Sequence, residues 1–130
     1  MSVGLLLISH TGVASNLLET AKNMLGNCPI NTRVLEVPLD TSLESAQAQA
    51  QEYIAQLNQG DGVLILSDLY GSTPSNIGHV IIDQVNTKMV SGLNLPMLVK
   101  VLNYANVDLE EMANKAKNGG QAGILLCDCK

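Results

Sequence analysis

Aliphatic runs alternate along the chain with segments whose apolar residues recur at helical spacing. The aliphatic runs predict strands over residues 3–9, 32–37, 63–66 and 88–92, with a last short strand over residues 122–127. The helical spacing predicts helices over residues 13–25, 43–57, 74–85, 95–104 and 109–117. Glycines follow the first, second and fifth helices, and a proline begins the third, as is usual at helix ends and starts.

This alternation predicts an α/β fold in three layers, an open and mainly parallel sheet with helices on both faces. The short strand near the end of the chain is expected at the edge of that sheet. Residues 1–130 are expected to form one domain, because the length suits a single core and no linker, repeat or low-complexity tract occurs. Thr41 is the expected N-cap of the second helix, since Glu44 follows it at capping-box spacing.

The composition narrows the kinds of partner. Apolar residues make up 46% of the chain, but it has no Phe or Trp, which argues against binding sugars or single-stranded nucleic acid by ring stacking. A net charge of −5 without a basic run argues against a nucleic-acid partner. No apolar stretch reaches the roughly 18 residues of a membrane span, and the first strand lacks the basic segment that opens a signal peptide. We therefore expect a cytoplasmic protein that does not insert into the membrane.

The cysteines support the same compartment. Three cysteines, an odd number, favour a reducing cytosol. Cys127 and Cys129 are expected to be free thiols, because no second cysteine pair or nearby histidine completes a zinc framework. No metal and no cofactor is expected.

Two titratable residues stand at strand ends, where ligands bind in open parallel sheets. The first predicted strand ends at His10, and the third is followed by Asp68. Right-handed crossovers place these two strands side by side, so His10 and Asp68 are expected to be neighbours. A carboxylate that accepts a hydrogen bond from one imidazole nitrogen leaves the other free as a nucleophile. His10 and Asp68 are therefore the candidate catalytic residues, with His10 as the phosphoryl acceptor.

Donors for phosphoryl oxygens are expected from two helix starts, where free N–H groups and the helix dipole favour an anion. Thr11 and Gly12 precede the first helix, and Gly71, Ser72 and Thr73 precede the third. These five residues are the candidate phosphate-binding residues.

His10 and Asp68 could also have ordinary structural roles. Taken alone, a histidine at a strand end is more often an ordinary loop residue, and an aspartate there more often makes a turn. Their common edge and the Gly-Ser-Thr-Pro helix start favour the functional interpretation. His79 lies in mid-helix and is interpreted as structural or exposed. The chain lacks the glycine-rich loops of P-loop and dinucleotide-binding proteins and the clustered carboxylates that hold Mg²⁺ in receiver domains, so metal-free transfer between proteins is favoured.

The sequence resembles the IIA domain of the mannose family of the bacterial phosphoenolpyruvate-dependent sugar phosphotransferase system, over essentially its whole length. The resemblance is carried by residues 9–12 (Ser-His-Thr-Gly), residues 61–71 (Asp-Gly-Val-Leu-Ile-Leu-Ser-Asp-Leu-Tyr-Gly), Thr73-Pro74 with Asn76, and residues 91–98. It implies that His10 accepts a phosphoryl group from the phosphocarrier HPr and passes it to a IIB component, with Asp68 orienting the imidazole. It also implies a homodimer, in which the last strand is exchanged in some members, and association with membrane subunits IIC and IID.

Two positions depart from the family pattern. Ser72 stands where a second glycine is usual, and Ser75 stands where an aromatic residue is common, which is expected to remove an apolar contact from the docking rim. No IIB part is attached, so a complete transporter is not expected from this chain. Two alternatives stay open: a regulatory protein whose His10 phosphorylation state controls a partner, and the phosphoryl-donor subunit of dihydroxyacetone kinase, whose second motif fits less well.

Overall fold

The computed structural model of the chain describes residues 2–69, 71–81 and 86–128. Its strands are β1 Gly4–His10, β2 Thr32–Val37, β3 Val63–Ser67 and β4 Thr87–Ser91. Its helices are α1 Val13–Leu25, α2 Leu43–Leu57, α3 Thr73–Ile81, α4 Leu95–Asn103 and α5 Leu109–Ala122. The predicted end of the third helix, from residue 82 to residue 85, lies outside the described residues. No described helix is long and apolar enough to cross a membrane.

The four strands form a parallel sheet in the order β2-β1-β3-β4. The first and third strands are adjacent, as the crossover rule predicts, with Ile8 opposite Ser67. Both central strands are buried along almost their whole length, which explains why their sequences are continuous aliphatic runs rather than alternating patterns.

Helices cover the sheet on both faces and enclose two apolar clusters. On one face α1, α4 and α5 pack on Leu5, Leu7, Leu64 and Leu66. On the other, α2 and α3 pack on the alternate side chains of the same strands, including Leu6 and Ile8 with Ile54 and Ile77. Successive side chains of a strand point to opposite faces, so both faces of β1 and β3 are core. The predicted three-layer α/β architecture is confirmed.

The N-cap predicted for α2 is one residue too early. Ser42 is the N-cap, and its hydroxyl accepts a hydrogen bond from the Ser45 N–H. Thr41 instead lies in the loop after β2, where its N–H donates to the Pro38 carbonyl. Both residues suit a cap chemically, so the local spacing did not distinguish them.

Helix α5 continues through Gly119 and Gly120, where the sequence pattern predicted its end. A Cβ on Gly119 would lie 2.7 Å from Lys100 Cβ, and one on Gly120 would lie 2.9 Å from Met97 Cε. These glycines therefore let α5 pack closely on α4, which is a different use of glycine from a helix stop.

The strand predicted over residues 122–127 is not formed within this chain. Ala122 is the last residue of α5, and residues 124–128 are exposed and form no regular element. Ile124, Leu125 and Leu126 have exposed fractions of 75%, 77% and 94%. Ile124 nevertheless lines a groove together with Met89 and Val90 of β4, so the stretch begins beside the edge strand without pairing with it. We call residues 124–128 the tail.

Candidate functional site

The histidine and the aspartate predicted from the strand ends meet at the carboxyl edge of the sheet. His10 is the last residue of β1, and Asp68 directly follows β3. The Nδ1 atom of His10 lies 2.7 Å from Oδ2 of Asp68. A carboxylate oxygen accepts, so Nδ1 carries the proton of this hydrogen bond and Nε2 keeps its lone pair. The arrangement fixes the tautomer of a partly exposed imidazole.

The backbone of His10 is held by the same carboxylate. Its N–H donates to Oδ2 of Asp68 across 3.0 Å, so both bonds from His10 converge on one oxygen. The Asp68 side chain is only 10% exposed, and its Oδ1 has no hydrogen-bond partner among the described residues. The hydroxyl of Ser67, the residue before Asp68, lies 2.6 Å from that of Ser91 and joins the ends of β3 and β4.

The start of α1 is already occupied by groups of the chain itself. The Ala14 N–H donates to the Ser9 hydroxyl, and Ser15 donates both its N–H and its hydroxyl to Oε2 of Glu36. The Ser15 hydroxyl, its N–H and the Gly12 N–H lower the pKa of Glu36 against a smaller opposing effect of burial. Where the sequence predicted donors for phosphoryl oxygens, the helix start thus binds the Glu36 carboxylate of β2, and Gly12 forms a turn with φ of 88°. Thr11 is exposed beside it.

Most donors of the loop before α3 are used inside the loop. Gly71 donates its N–H to the Ser75 hydroxyl, and Ser72 donates both its N–H and its hydroxyl to the Leu69 carbonyl. Ser75 is buried, so it lies under the loop and not on a docking rim, which corrects the expectation from the sequence. Its hydroxyl accepts the Gly71 N–H at the position where an aromatic residue is common in the family pattern.

His10 opens into a cavity of about 320 Å³ between the loop after β2 and the start of α3. Thr73, one of the candidate phosphate-binding residues, lines it, and Thr41 and Asn76 line it as well. Among the described residues, none of these three side chains has another hydrogen-bond partner, so their polar atoms are available to a ligand. Sequence reasoning missed the last two as site residues, although Asn76 follows Thr73 at helical spacing and so shares its face.

The remaining candidates lie elsewhere. His79 is exposed on α3 and borders an apolar groove along β4, apart from the His10 cavity. Cys28 and Cys127 are free thiols, and Cys129 lies outside the described residues. Among the described residues no three His, Cys, Asp or Glu side chains are grouped as a metal site.

Comparison with known proteins places the chain in a family. A model of the family described as "EIIA-man: PTS system fructose IIA component" matches residues 4–117. The chain belongs to the mannose family of phosphotransferase-system IIA domains. This confirms the resemblance carried by the strand-end motifs.

Relatives of this IIA domain differ in size. It is 30% identical over 130 residues to the PTS system mannose-specific EIIAB component of Escherichia coli K12, covering 95% of this chain and 39% of that protein. The domain therefore spans well under half the length of that relative. It is 27% identical over 111 residues to the transcriptional regulatory protein LevR of Bacillus subtilis, covering 82% of this chain and 12% of that protein.

The fold has a solved counterpart. A mannose/sorbose-specific IIA subunit from Enterococcus faecalis superposes with a TM-score of 0.89, at 23% identity, over 100% of this chain and 98% of that one. At that identity the similarity is evidence of a shared fold.

Proposed function

We propose that this IIA domain is a phosphoryl carrier in which Nε2 of His10 accepts a phosphoryl group from phosphorylated HPr and passes it to a IIB component in the cytoplasm. The two hydrogen bonds from His10 to Oδ2 of Asp68, at 2.7 and 3.0 Å, carry the proposal. The bond from Nδ1 leaves Nε2 as the ring nitrogen with a free lone pair. Family membership supports the same role.

The transfer needs no redox change and no metal-bound water. The Nε2 lone pair forms a bond to phosphorus as the phosphorus–nitrogen bond of the donor phosphohistidine breaks, and that bonding pair stays on the donor nitrogen. Nδ1 keeps its proton throughout and donates it in the hydrogen bond to Asp68, whose negative charge stabilises the positive charge that develops on the ring. Onward transfer to a nucleophile of the IIB component reverses the roles, so one geometry serves both steps.

We assign the phosphoryl oxygens to the α3 side of the cavity. Thr73 and Asn76 offer unpaired side-chain donors there, and Thr41 offers one from the opposite wall. Thr11 is a further exposed hydroxyl at the edge. Gly12, Gly71 and Ser72, whose donors are engaged within the chain, act by shaping the turns.

The direct test is phosphorylation by phosphoenolpyruvate, enzyme I and HPr. The expected adduct is acid-labile and base-stable, and His10→Ala abolishes it whereas His79→Ala leaves it intact. An adduct that persists in the His10→Ala protein contradicts the assignment. ³¹P–¹⁵N coupling to Nε2 rather than Nδ1 tests the atom.

A homodimer is part of the proposal. The tail exposes Ile124, Leu125 and Leu126, and an apolar groove of about 580 Å³ runs along the edge strand β4, with Ile124 of the same chain as one of its lining residues. An edge strand with an open row of backbone groups accepts a further strand. The tail of a second copy supplies one, which accounts for the exposed aliphatic residues. Association with IIC and IID follows through the IIB component.

A regulatory role is the second candidate, favoured by the similarity to LevR. In that case His10 is phosphorylated but transfer to a IIB component does not follow, and binding of a partner depends on the phosphorylation state. Single-turnover transfer from the phosphorylated domain to the IIB component separates the two: rapid loss of the label to IIB supports the carrier.

A further inference from the structure

The buried polar side chains among the described residues are three serines, and all three adjoin the candidate site. Ser9 directly precedes His10, Ser67 directly precedes Asp68, and Ser75 lies under the loop before α3. Burying a hydroxyl costs free energy unless hydrogen bonds compensate for the lost water. The hydrogen bonds of such a serine therefore indicate what it does at the site.

Ser9 has the hydrogen bonds closest to the proposed nucleophile. It is fully buried and lies on the same face of β1 as Leu5 and Leu7, where an aliphatic side chain would continue the pattern. Its hydroxyl donates to the His10 carbonyl across 2.8 Å and accepts from the Ala14 N–H across 2.9 Å. The single proton of this hydroxyl is thus used, and one of its lone pairs as well. Ser9 thereby joins the end of β1 to the start of α1.

The main chain of His10 is held on both sides of its Cα atom. Its N–H donates to Oδ2 of Asp68, and its carbonyl accepts from Ser9. Because these two peptide groups flank Cα, the two bonds together limit how the Cα–Cβ bond can turn. That direction matters to the ring, since Nδ1 has to reach Oδ2 of Asp68 at 2.7 Å.

We propose that Ser9 is a positioning residue of phosphoryl transfer, whose hydroxyl keeps the main chain of His10 in the orientation that the imidazole bond to Asp68 requires. This role rests on the proposed function of His10. Ser9 does not line the cavity, so it acts through His10 and not on the phosphoryl group. Transfer is sensitive to such orientation, because a reacting atom misplaced by about 1 Å can slow a reaction about a hundredfold.

The alternative role of Ser9 is to stabilise the start of α1 and nothing more. Ser15 offers the matched comparison, because its hydroxyl serves the same helix start through Glu36 of β2 instead of through His10. Loss of either hydroxyl should lower the melting temperature, as loss of a helix cap does. Loss of the Ser9 hydroxyl alone should also change the reaction and the ring.

Ser9→Ala and Ser15→Ala are compared with the wild type in phosphorylation by phosphorylated HPr. We expect Ser9→Ala to lower the limiting rate about tenfold while the half-saturating concentration of HPr stays unchanged, and Ser15→Ala to keep the wild-type rate. The ¹⁵N shifts of the His10 ring should show a mixture of tautomers in Ser9→Ala and the Nδ1-protonated form in Ser15→Ala. Ser9→Thr keeps the hydroxyl and should retain most of the rate.

A wild-type rate and ring in Ser9→Ala, or an equal loss of rate in Ser15→Ala, overturns the positioning role and leaves Ser9 as a helix-start residue. If Ser9→Ala does not fold, Ser9→Cys takes its place in the same comparison. A thiol has a similar shape but is a weaker hydrogen-bond donor and acceptor, so the same loss of rate is expected in smaller degree.

A small phosphoryl donor separates failure of the positioning role from failure of the site. Ser9 is proposed to act on the ring and not on docking, so phosphoramidate should show the same loss for Ser9→Ala as HPr does. If neither donor modifies the wild type at His10, the proposed function is wrong. If both donors modify it and Ser9→Ala reacts as fast as the wild type, the positioning role alone is wrong. A loss seen with HPr but not with phosphoramidate also overturns it.

Discussion

Asp68 receives two hydrogen bonds from a single residue, His10, and both end on the same oxygen, Oδ2. The backbone bond fixes where the end of β1 lies relative to β3, and the imidazole bond fixes the direction and tautomer of the ring. Position and protonation of the proposed nucleophile therefore depend on one carboxylate. Because that side chain is nine-tenths buried, it cannot easily rotate to serve either bond alone.

Asp68→Asn should lower the rate of His10 phosphorylation about a hundredfold, because an amide stabilises developing imidazolium charge poorly and can favour the other tautomer. Rapid-quench measurement with phosphorylated HPr gives the rate, and ¹⁵N shifts of the ring give the tautomer. His79→Ala is the control and should match the wild type. A wild-type rate in Asp68→Asn contradicts the orienting role.

Thr73→Val and Ser72→Ala form a matched pair. The Thr73 hydroxyl is free to meet a phosphoryl oxygen, so its loss should slow phosphorylation about tenfold, the cost of one hydrogen bond to a charged group. The Ser72 hydroxyl donates to the Leu69 carbonyl, so its loss should lower the melting temperature. The rate of phosphorylation at saturating donor should stay close to that of the wild type. The reverse ranking would assign the phosphoryl contact to Ser72.

Glu36→Gln should reduce stability at neutral pH by removing the charge that holds the start of α1. The pKa of Glu36 is lowered from its ordinary value of 4.5, so its stabilising contribution is present above that value and is lost as pH falls through the lower folded-state pKa. Glu36→Ala also removes the cap and should cost about 1 kcal/mol. Urea unfolding at pH 7 and below pH 4 measures both differences.

Glu52→Gln is the control for that experiment, since Glu52 is exposed in mid-helix. The difference between wild type and Glu36→Gln should shrink on acidification, whereas the control should follow the wild type at both pH values. A difference that grows as pH falls has the wrong sign for a lowered pKa and rejects Glu36 as the charged cap.

The spacing of apolar residues predicted the helices and strands that depend on residues close together in the sequence. The bounds predicted for β2 agree with the structure, and the meeting of His10 and Asp68 follows from two strand ends and the handedness of the crossovers. The predictions were wrong where a residue serves a distant segment. Gly120 is a residue type that often ends a helix, but here it lies inside α5 and permits close contact with Met97. Only the packing of α4 on α5 shows which of the two roles it has.

The prediction for the start of α1 was incomplete for the same reason, a contact with a distant segment. The sequence favours a free anion site near Gly12, but Glu36 reaches it from the neighbouring strand. No residue near position 12 in the sequence indicates that contact, because Ser15 and Glu36 are 21 positions apart. Ser75 belongs to the predicted third helix, but nothing in the pattern indicates that it is buried or that its hydroxyl accepts a hydrogen bond from the Gly71 N–H.

Leu126→Asp and Leu39→Asp should separate assembly from transfer. Leu126 lies in the tail and is 94% exposed, and in the proposed dimer an aspartate there would place a charge in the apolar groove of the second copy, so we expect that dimer to dissociate. Leu39 is as exposed but borders His10, so its aspartate should leave the dimer intact and weaken phosphoryl transfer. Sedimentation velocity reports the first property, and transfer from phosphorylated HPr the second. An intact dimer in Leu126→Asp would show that the tail is not the dimer contact, and dissociation by Leu39→Asp would show that the surface beside His10 takes part in it.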